Sequence, residues 1–182
     1  MEHITTFTGE NFTPLTPNID HIKIEDIAHA LSLTCRANGH IKRFYSVAQH
    51  CINCANEAKA RGLDIKLQLA CLLHDGSEAY LSDITKPVKK NLLQYVEIEK
   101  VLQELIYKKF LGAALSDDER MQIEEIDEDI FILEFYNLME KKVFDEFPNL
   151  YSNPSFEFQD FITVKNDFLN IFNAGRGSFG KY

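Results

Sequence analysis

The sequence predicts an all-α fold, a bundle of about six or seven helices with a short β-hairpin at its N-terminus. Three observations carry that expectation. Apolar residues return at helical spacing in segment after segment. Two segments open on Ser-x-x-Gln or Ser-x-x-Glu capping boxes, at Ser46 and Ser116. No internal repeat or low-complexity tract interrupts the 182 residues, of which 45% are hydrophobic. A chain of this length buries one sizeable core unaided, so it reads as a single domain over 1–182. Within it, 4–22 is an irregular N-terminal segment, 23–174 the helical core and 175–182 a tail.

In order, Ile4 to Thr8 is β-branched and alternating, and Gly9-Glu-Asn11 turns it back along Phe12 to Leu15. Pro14 and Pro17 mark irregular chain before a first helix from Ile24 to about Cys35, with Ile24, Ile27, Ala28, Leu31 and Leu33 inward. Asn38-Gly39 signals a turn. The helix opened by Ser46 presents a small apolar face of Val47, Cys51, Cys54, Ala55 and Ala58, so that other helices approach it closely. Gly62 stops it. Asp64 caps a third helix whose Ile65, Leu67, Leu69, Ala70, Leu72 and Leu73 are apolar nearly all round, as in a buried helix.

Pro87 starts another short helix, and a longer one runs from Tyr95 to Phe110, closed by Gly112. The helix opened by Ser116 is expected to reach roughly Phe144, with Ile123, Ile126, Ile130, Leu133 and Leu138 inward. A final helix is expected to start near Pro154 and to bury Phe161, Val164, Phe168 and Ile171 or Phe172.

The formal charge of −9 argues against broad contact with nucleic acid or an anionic membrane, which need clustered cations. No apolar run has the length of a membrane span, and Cys35, Cys51, Cys54 and Cys71 sit in or beside helical segments, as reduced thiols do. The expected location is the cytoplasm. Cys51-Ile-Asn-Cys54 completes an apolar helix face and reads as core packing.

The chemistry concentrates at Leu72 to Asp83. There His74 and Asp75 end the most apolar helix side by side, a costly pairing in a core unless something binds it. His50 lies one turn inside the preceding helix, and Asp127 interrupts the apolar stripe between Ile123 and Ile130. Two imidazoles and two carboxylates are donors that a divalent metal accepts, with room left for water. Asp129 points nearly opposite to Asp127, and Glu134, two turns on, would brace the site or an arginine.

The order His50, His74-Asp75, Asp127 resembles the HD-domain phosphohydrolase superfamily. Asp26-Ile-Ala-His-Ala-Leu-Ser32, Asn38-Gly-His40, Arg43-Phe-Tyr-Ser-Val-Ala-Gln-His50, His74-Asp-Gly-Ser-Glu-Ala-Tyr-Leu-Ser-Asp83 and Thr85-Lys-Pro-Val-Lys89 resemble the branch containing bacterial 5'-deoxynucleotidases and phage-associated HD hydrolases. The likeness covers most of 4 to about 140. It implies one divalent metal on His50, His74, Asp75 and Asp127, commonly manganese, cobalt, zinc or magnesium, with nickel and iron also admissible. It also implies a homodimer, and it matches Glu78, Asp83 and Arg36 to the family's further acids and its substrate-side arginine. His29 and His40, in shared segments, would line the pocket edge. The chain departs from that branch at Gln49, where many relatives have Glu, and at Ala37, where the better-known deoxynucleotidases have Trp.

A bound divalent ion lowers the pKa of its water from 15.7 to about 7 and polarises a phosphoryl oxygen. Asp75 and Glu78 are then the catalytic carboxylates, with Glu78 as general acid or base one turn beyond His74. Arg36, with Arg43 as second candidate, would neutralise phosphate, and Asp83 would accept from a sugar hydroxyl. Lys86, Lys89 and Lys90 could attract phosphate, but they read first as a solvated face. The expected activity is metal-dependent hydrolysis of a small phosphate ester, a nucleoside 5'-monophosphate first. Hydrolysis of nucleoside triphosphates or signalling nucleotides is the alternative, as is a non-catalytic module that binds metal or nucleotide.

Overall fold

At residue 46 the chain commits to its central helix. The Ser46 hydroxyl accepts from the Gln49 amide and the Gln49 side-chain oxygen accepts from the Ser46 amide, each at 3.2 Å. The box satisfies two N–H groups that a helix start otherwise leaves bare. This helix, α2 below, runs Val47–Ala60 and brings His50 to the middle of the molecule. The computed structural model describes residues 2–140 and 144–179, with side chains as far as residue 177.

The chain is all-α with a short N-terminal hairpin. Strands β1 (Ile4–Thr5) and β2 (Asn11–Phe12) pair antiparallel, with Ile4 opposite Phe12. Asp26 ties the hairpin to α1 (Ile24–Leu33) by accepting from the Thr8 amide at 2.7 Å and the Thr8 hydroxyl at 2.9 Å. After α2 come α3 (Ile65–Leu73), the single turns α4 (Glu78–Leu81) and α5 (Lys86–Lys89), α6 (Leu93–Leu111), α7 (Asp117–Met139) and α8 (Phe161–Phe179). Helix α3 packs against α2, α6, α7 and α8, and α1 packs against α8, α4 and α2. Leu69, Leu72, Leu73, Leu31, Ile106, Ile126 and Phe168 are fully buried in one continuous cluster at this crossing, each burial contributing about 1.5–3 kcal/mol. Among the described residues no helix is long and apolar enough to cross a membrane.

Three helix boundaries differ from expectation by more than two residues. Helix α7 stops at Met139 rather than near Phe144: the Leu138 carbonyl accepts from the Lys42 amide at 2.9 Å, and Glu140 turns left-handed at φ 52°. Residues 141–143 lie outside the described part.

Helix α8 starts at Phe161, not Pro154. A polar ladder on α2 holds the chain extended before it. Gln49 donates to the Glu157 carbonyl at 3.1 Å and Asn53 to the Ser155 carbonyl at 3.0 Å, while Glu57 accepts from the Tyr151 and Ser152 amides at 3.1 and 2.8 Å. With its backbone groups committed to side chains, this segment does not begin a helix, and Asp160 caps the later start by accepting from the Ile162 amide at 2.8 Å.

Finally, 175–179 continues α8 instead of forming a tail. Gly175 sits so close to Leu69 that a Cβ there would lie 2.7 Å from Leu69 Cδ2, and Arg176 donates to the Phe110 carbonyl at 2.9 Å. Positions 180–182 of the expected tail are outside the described residues. Leu33, expected inward, is exposed, as is Phe161, and Phe172 rather than Ile171 is fully buried.

Candidate metal centre and its cavity

His50 enters from α2, His74 and Asp75 from the C-terminal end of α3, and Asp127 and Glu134 from α7. Each imidazole has one nitrogen committed. His50 Nδ1 lies 2.6 Å from Glu134 Oε1, and His74 Nδ1 lies 2.7 Å from the Cys71 carbonyl. A carboxylate and a carbonyl only accept, so each Nδ1 carries a hydrogen and each Nε2 is the nitrogen left to take a proton or a metal ion. These two Nε2 atoms face one another at 3.1 Å. Asp127 Oδ1 is 2.9 Å from His50 Nε2 and 3.7 Å from His74 Nε2, and Asp75 Oδ2 is 3.9 and 3.5 Å from the same atoms.

Two imidazole lone pairs and two carboxylates turned on one point repel unless positive charge lies among them. Without an ion, protons supply it. Burial opposes charge on His50, as does Arg36, yet Cys54, Glu134 and Asp127 outweigh both and hold its pKa well above the ordinary value. His74 is raised likewise, burial being overcome by Asp75, Cys51 and Asp127. Burial pushes the Asp127 carboxyl up, but its bonds to the two histidines prevail and hold it well below the usual range. A divalent cation competes for the same electron pairs. Nitrogen and oxygen donors, each histidine oriented by an acceptor at its far nitrogen, fit such an ion.

Arg36 stands beside these donors, 3.4 Å from Asp75 Oδ2 and 3.3 Å from Glu134 Oε2. Glu134 thus holds both a histidine and the arginine. Asp129 faces away and binds Arg61 at 2.6 Å, so the two neighbouring acids of α7 diverge.

A cavity of about 510 Å³ opens from this cluster, within the range of small-molecule pockets. Its polar end is formed by Arg36, Asp75, Glu78, Asp83, Asp127 and Glu134, and its apolar wall by Ile41, Ile84, Phe131, Phe135, Leu138 and Phe144. Glu78 is 6% exposed and its Oε2 has no hydrogen-bond partner among the described residues. Burial above all, with Asp75 and Asp83 adding repulsion, raises its carboxyl well above the usual range. Burial raises Asp83 too, Arg36 opposing.

Several positions differ from the sequence reading. Arg43 is not brought to the cavity: its Nε donates to the Phe156 carbonyl at 3.1 Å and its guanidinium lies 3.7 Å from Glu157. His29 stacks on Phe7 at 3.9 Å and His40 is exposed, and neither lines the cavity. Gln49 spends its side chain on the Ser46 cap and the Glu157 carbonyl, where a Glu could not make the second bond. Lys86 and Lys89, read as a solvated face, border the cavity: Lys86 Nζ is 4.0 Å from Asp127 Oδ2 and 5.2 Å from the centre of the Phe131 ring, and Lys89 pairs with Glu99 at 2.6 Å. Lys90 is exposed outside it.

The aromatic wall was missed as well. Its one local signal is Phe131 and Phe135, four residues apart and hence on one face of α7. The cysteines of α2 join the core as expected, but they also approach the histidines. Two sets of potential ligand atoms, His50 with Cys54 and His74, and Cys51 with His74 and Asp75, each lie within 4.8 Å of one another. These are groups that could hold a metal ion.

No protein-family model matches the chain. It is 38% identical over 110 residues to the uncharacterized protein YfdR of Escherichia coli strain K12, covering 60% of this chain and 59% of that one. It is 37% identical over 109 residues to an uncharacterized protein of Rhodobacter capsulatus, covering 57% and 55%. The matched part thus spans under two thirds of each relative's length.

Proposed function

We propose that this chain is a metal-dependent phosphohydrolase of the HD type, acting on a small phosphate monoester, with a nucleoside 5'-monophosphate as first candidate. The observation that carries the reading is the pair of imidazoles whose Nδ1 atoms are already committed and whose Nε2 atoms converge beside Asp75 and Asp127, the two carboxylates that line the polar end of a cavity. His50, His74, Asp75 and Asp127 would hold one divalent ion. Such an ion supplies Lewis-acid polarisation of a phosphoryl oxygen and acidifies a water.

The chain's own residues fit the remaining tasks. Glu78 is buried, unpartnered at Oε2 and biased towards its protonated form, so it holds a proton to give to the leaving oxygen of the ester. Arg36 presents a permanent charge, fixed by Glu134 and Asp75, to the non-bridging oxygens. Asp83, on the same wall, suits a hydroxyl of the leaving group. The wall of Phe131, Phe135 and Phe144 offers apolar area for a flat base and helps keep bulk water off.

The cation count favours a monoester over a triphosphate. Of the cavity's Arg36, Lys86 and Lys89, the first is already shared by two carboxylates and the last is paired with Glu99. Only Lys86 remains lightly engaged, too little to match a triphosphate chain.

The test is phosphate release by metal-loaded protein from a panel of nucleoside 5'-monophosphates and triphosphates, with Glu78→Gln alongside. Monophosphates should be cleaved preferentially, and the variant should keep its metal while losing about 10²–10⁴-fold in turnover. Triphosphate preference, or no release from any ester by loaded protein, would overturn the reading.

A further inference from the structure

We infer that Cys54 is a ligand to the ion held by His50 and His74, and that this thiolate makes the site select zinc or cobalt over magnesium or manganese. The inference rests on the metal-centre reading above and adds a sulfur donor to it.

Cys54 follows His50 by four residues on α2, which places the two side chains on one side of the helix. Its Sγ lies 3.5 Å from His50 Nε2, the same nitrogen that faces His74 Nε2 at 3.1 Å and Asp127 Oδ1 at 2.9 Å. Zinc–nitrogen bonds of about 2.0–2.1 Å and zinc–sulfur bonds of about 2.3 Å give donor–donor edges of roughly 2.9–3.4 Å between nitrogens and roughly 3.1–3.6 Å from nitrogen to sulfur, the lower figures for donors at right angles and the upper for tetrahedral ones. The observed separations of 3.1 and 3.5 Å match those edges to within a few tenths of an ångström. The third edge, from Cys54 Sγ to the His74 nitrogen, is within 4.8 Å, so the three donors can close on one ion.

Their surroundings divide the donors into two sides. His50 and Cys54 are all but fully buried, at 0 and 1% exposure, whereas the Asp75 and Asp127 side chains are 19 and 24% exposed and border the cavity. The protein side of the centre is thus nitrogen and sulfur, and the cavity side is carboxylate. Among the described residues, His50 Nε2 is the one hydrogen-bonding neighbour of the Cys54 thiol. Cys51 is placed differently. Its sulfur groups with His74 and Asp75, while that of Cys54 groups with both imidazoles.

On coordination the sulfur–metal bond forms as the S–H bond breaks, and the proton leaves to solvent, giving one thiolate per ion. Thiolate and imidazole favour zinc and related borderline ions, whereas magnesium and manganese favour all-oxygen sets. A site with this inner face discriminates accordingly, although its outer carboxylates would by themselves admit the harder ions.

The experiment is cobalt(II) loading of the full chain, read by absorption. Thiolate ligation gives a strong near-ultraviolet sulfur-to-cobalt charge-transfer band beside the visible ligand-field bands. The wild type should show that band. Cys54→Ser should lose it while retaining cobalt and the ligand-field bands, and Cys51→Ser should keep it. In direct competition, Cys54→Ser should lose at least about tenfold of the zinc-over-manganese preference. Circular dichroism identifies any variant that fails to fold, and the wild-type spectrum decides without the variants. Bound cobalt with no charge-transfer band, or a band that survives Cys54→Ser, overturns the sulfur ligand while leaving the metal centre standing. Failure of the wild type to take up cobalt at all overturns the metal centre, and this inference with it.

Discussion

Glu134→Gln separates the orientation of a ligand from ligation itself. Glu134 is 2% exposed, its Oε1 is 2.6 Å from His50 Nδ1 and its Oε2 is 3.3 Å from Arg36. The amide keeps the shape and an accepting oxygen but removes the charge. A hydrogen bond to a charged group contributes about 1.5–3 kcal/mol and a neutral one about 0.5–1.5, so about 1–1.5 kcal/mol of His50 orientation and basicity is lost. Groups that orient metal-bound histidines typically set 10–100-fold in affinity, about 1.4–2.7 kcal/mol, and the two figures overlap at about tenfold. Calorimetric titration of the metal-free protein with zinc should therefore give unchanged stoichiometry and a Kd weakened by 10–100-fold. Without metal the variant should also melt lower, because Arg36 keeps Asp75 but loses its second carboxylate. About 1–2 kcal/mol corresponds to a drop of roughly 2–8 °C for a chain of this size. An unchanged Kd would refute the orienting role of Glu134 and with it the Nδ1–H assignment of His50.

Asp127→Ala should abolish stoichiometric metal in elemental analysis, whereas Asp129→Ala should retain it, since Asp129 binds Arg61 and Arg61 keeps Glu57 and Glu125. The reverse pattern would exchange the two assignments. Glu57→Gln should cost about 2–4 kcal/mol at neutral pH by weakening the hold on Tyr151 and Ser152. Burial raises the Glu57 carboxyl, but bonds from Ser152, Arg61 and Tyr151 outweigh it and depress the pKa below its ordinary 4.5. Its stabilisation is therefore complete above that value and fades as pH falls through the lower folded value. Melting of the wild type from pH 6 to 3 should fall more steeply than that of Glu57→Gln, and parallel curves would show that Glu57 contributes no such linkage. Gly175→Ala should lower the Tm, because overpacking against Leu69 at about 1–3 kcal/mol exceeds the gain of about 1 kcal/mol from helix propensity. A raised Tm would mean that Leu69 swings aside at no cost.

Much of the fold was legible because its signals are local. The capping boxes at Ser46 and Ser116, the Asp64 cap and the Gly112 stop act within one turn, and each stands where the sequence placed it. The boundaries that moved depend on distant partners. Helix α8 begins late because Gln49, Asn53 and Glu57, about a hundred residues away, hold the backbone of 151–157 extended. Those three residues are a polar stripe at helical spacing, a sign that something covers them, but nothing local says what.

The same division applies to the candidate site. By itself the sequence determined the residue types, their order and the helix face that each occupies: histidine within one turn of a cap, a His-Asp pair ending an apolar helix, an acid on an apolar stripe. Those follow from helical geometry and from the cost of burying charge. Only the tertiary structure decided which groups converge. It turned Arg43 towards 156–157, brought Lys86 and Lys89 to the cavity rim and set Cys54 against His50. Convergence of this kind comes from the crossing of α2, α3 and α7, and the crossing is set by the volumes of many packed side chains at once.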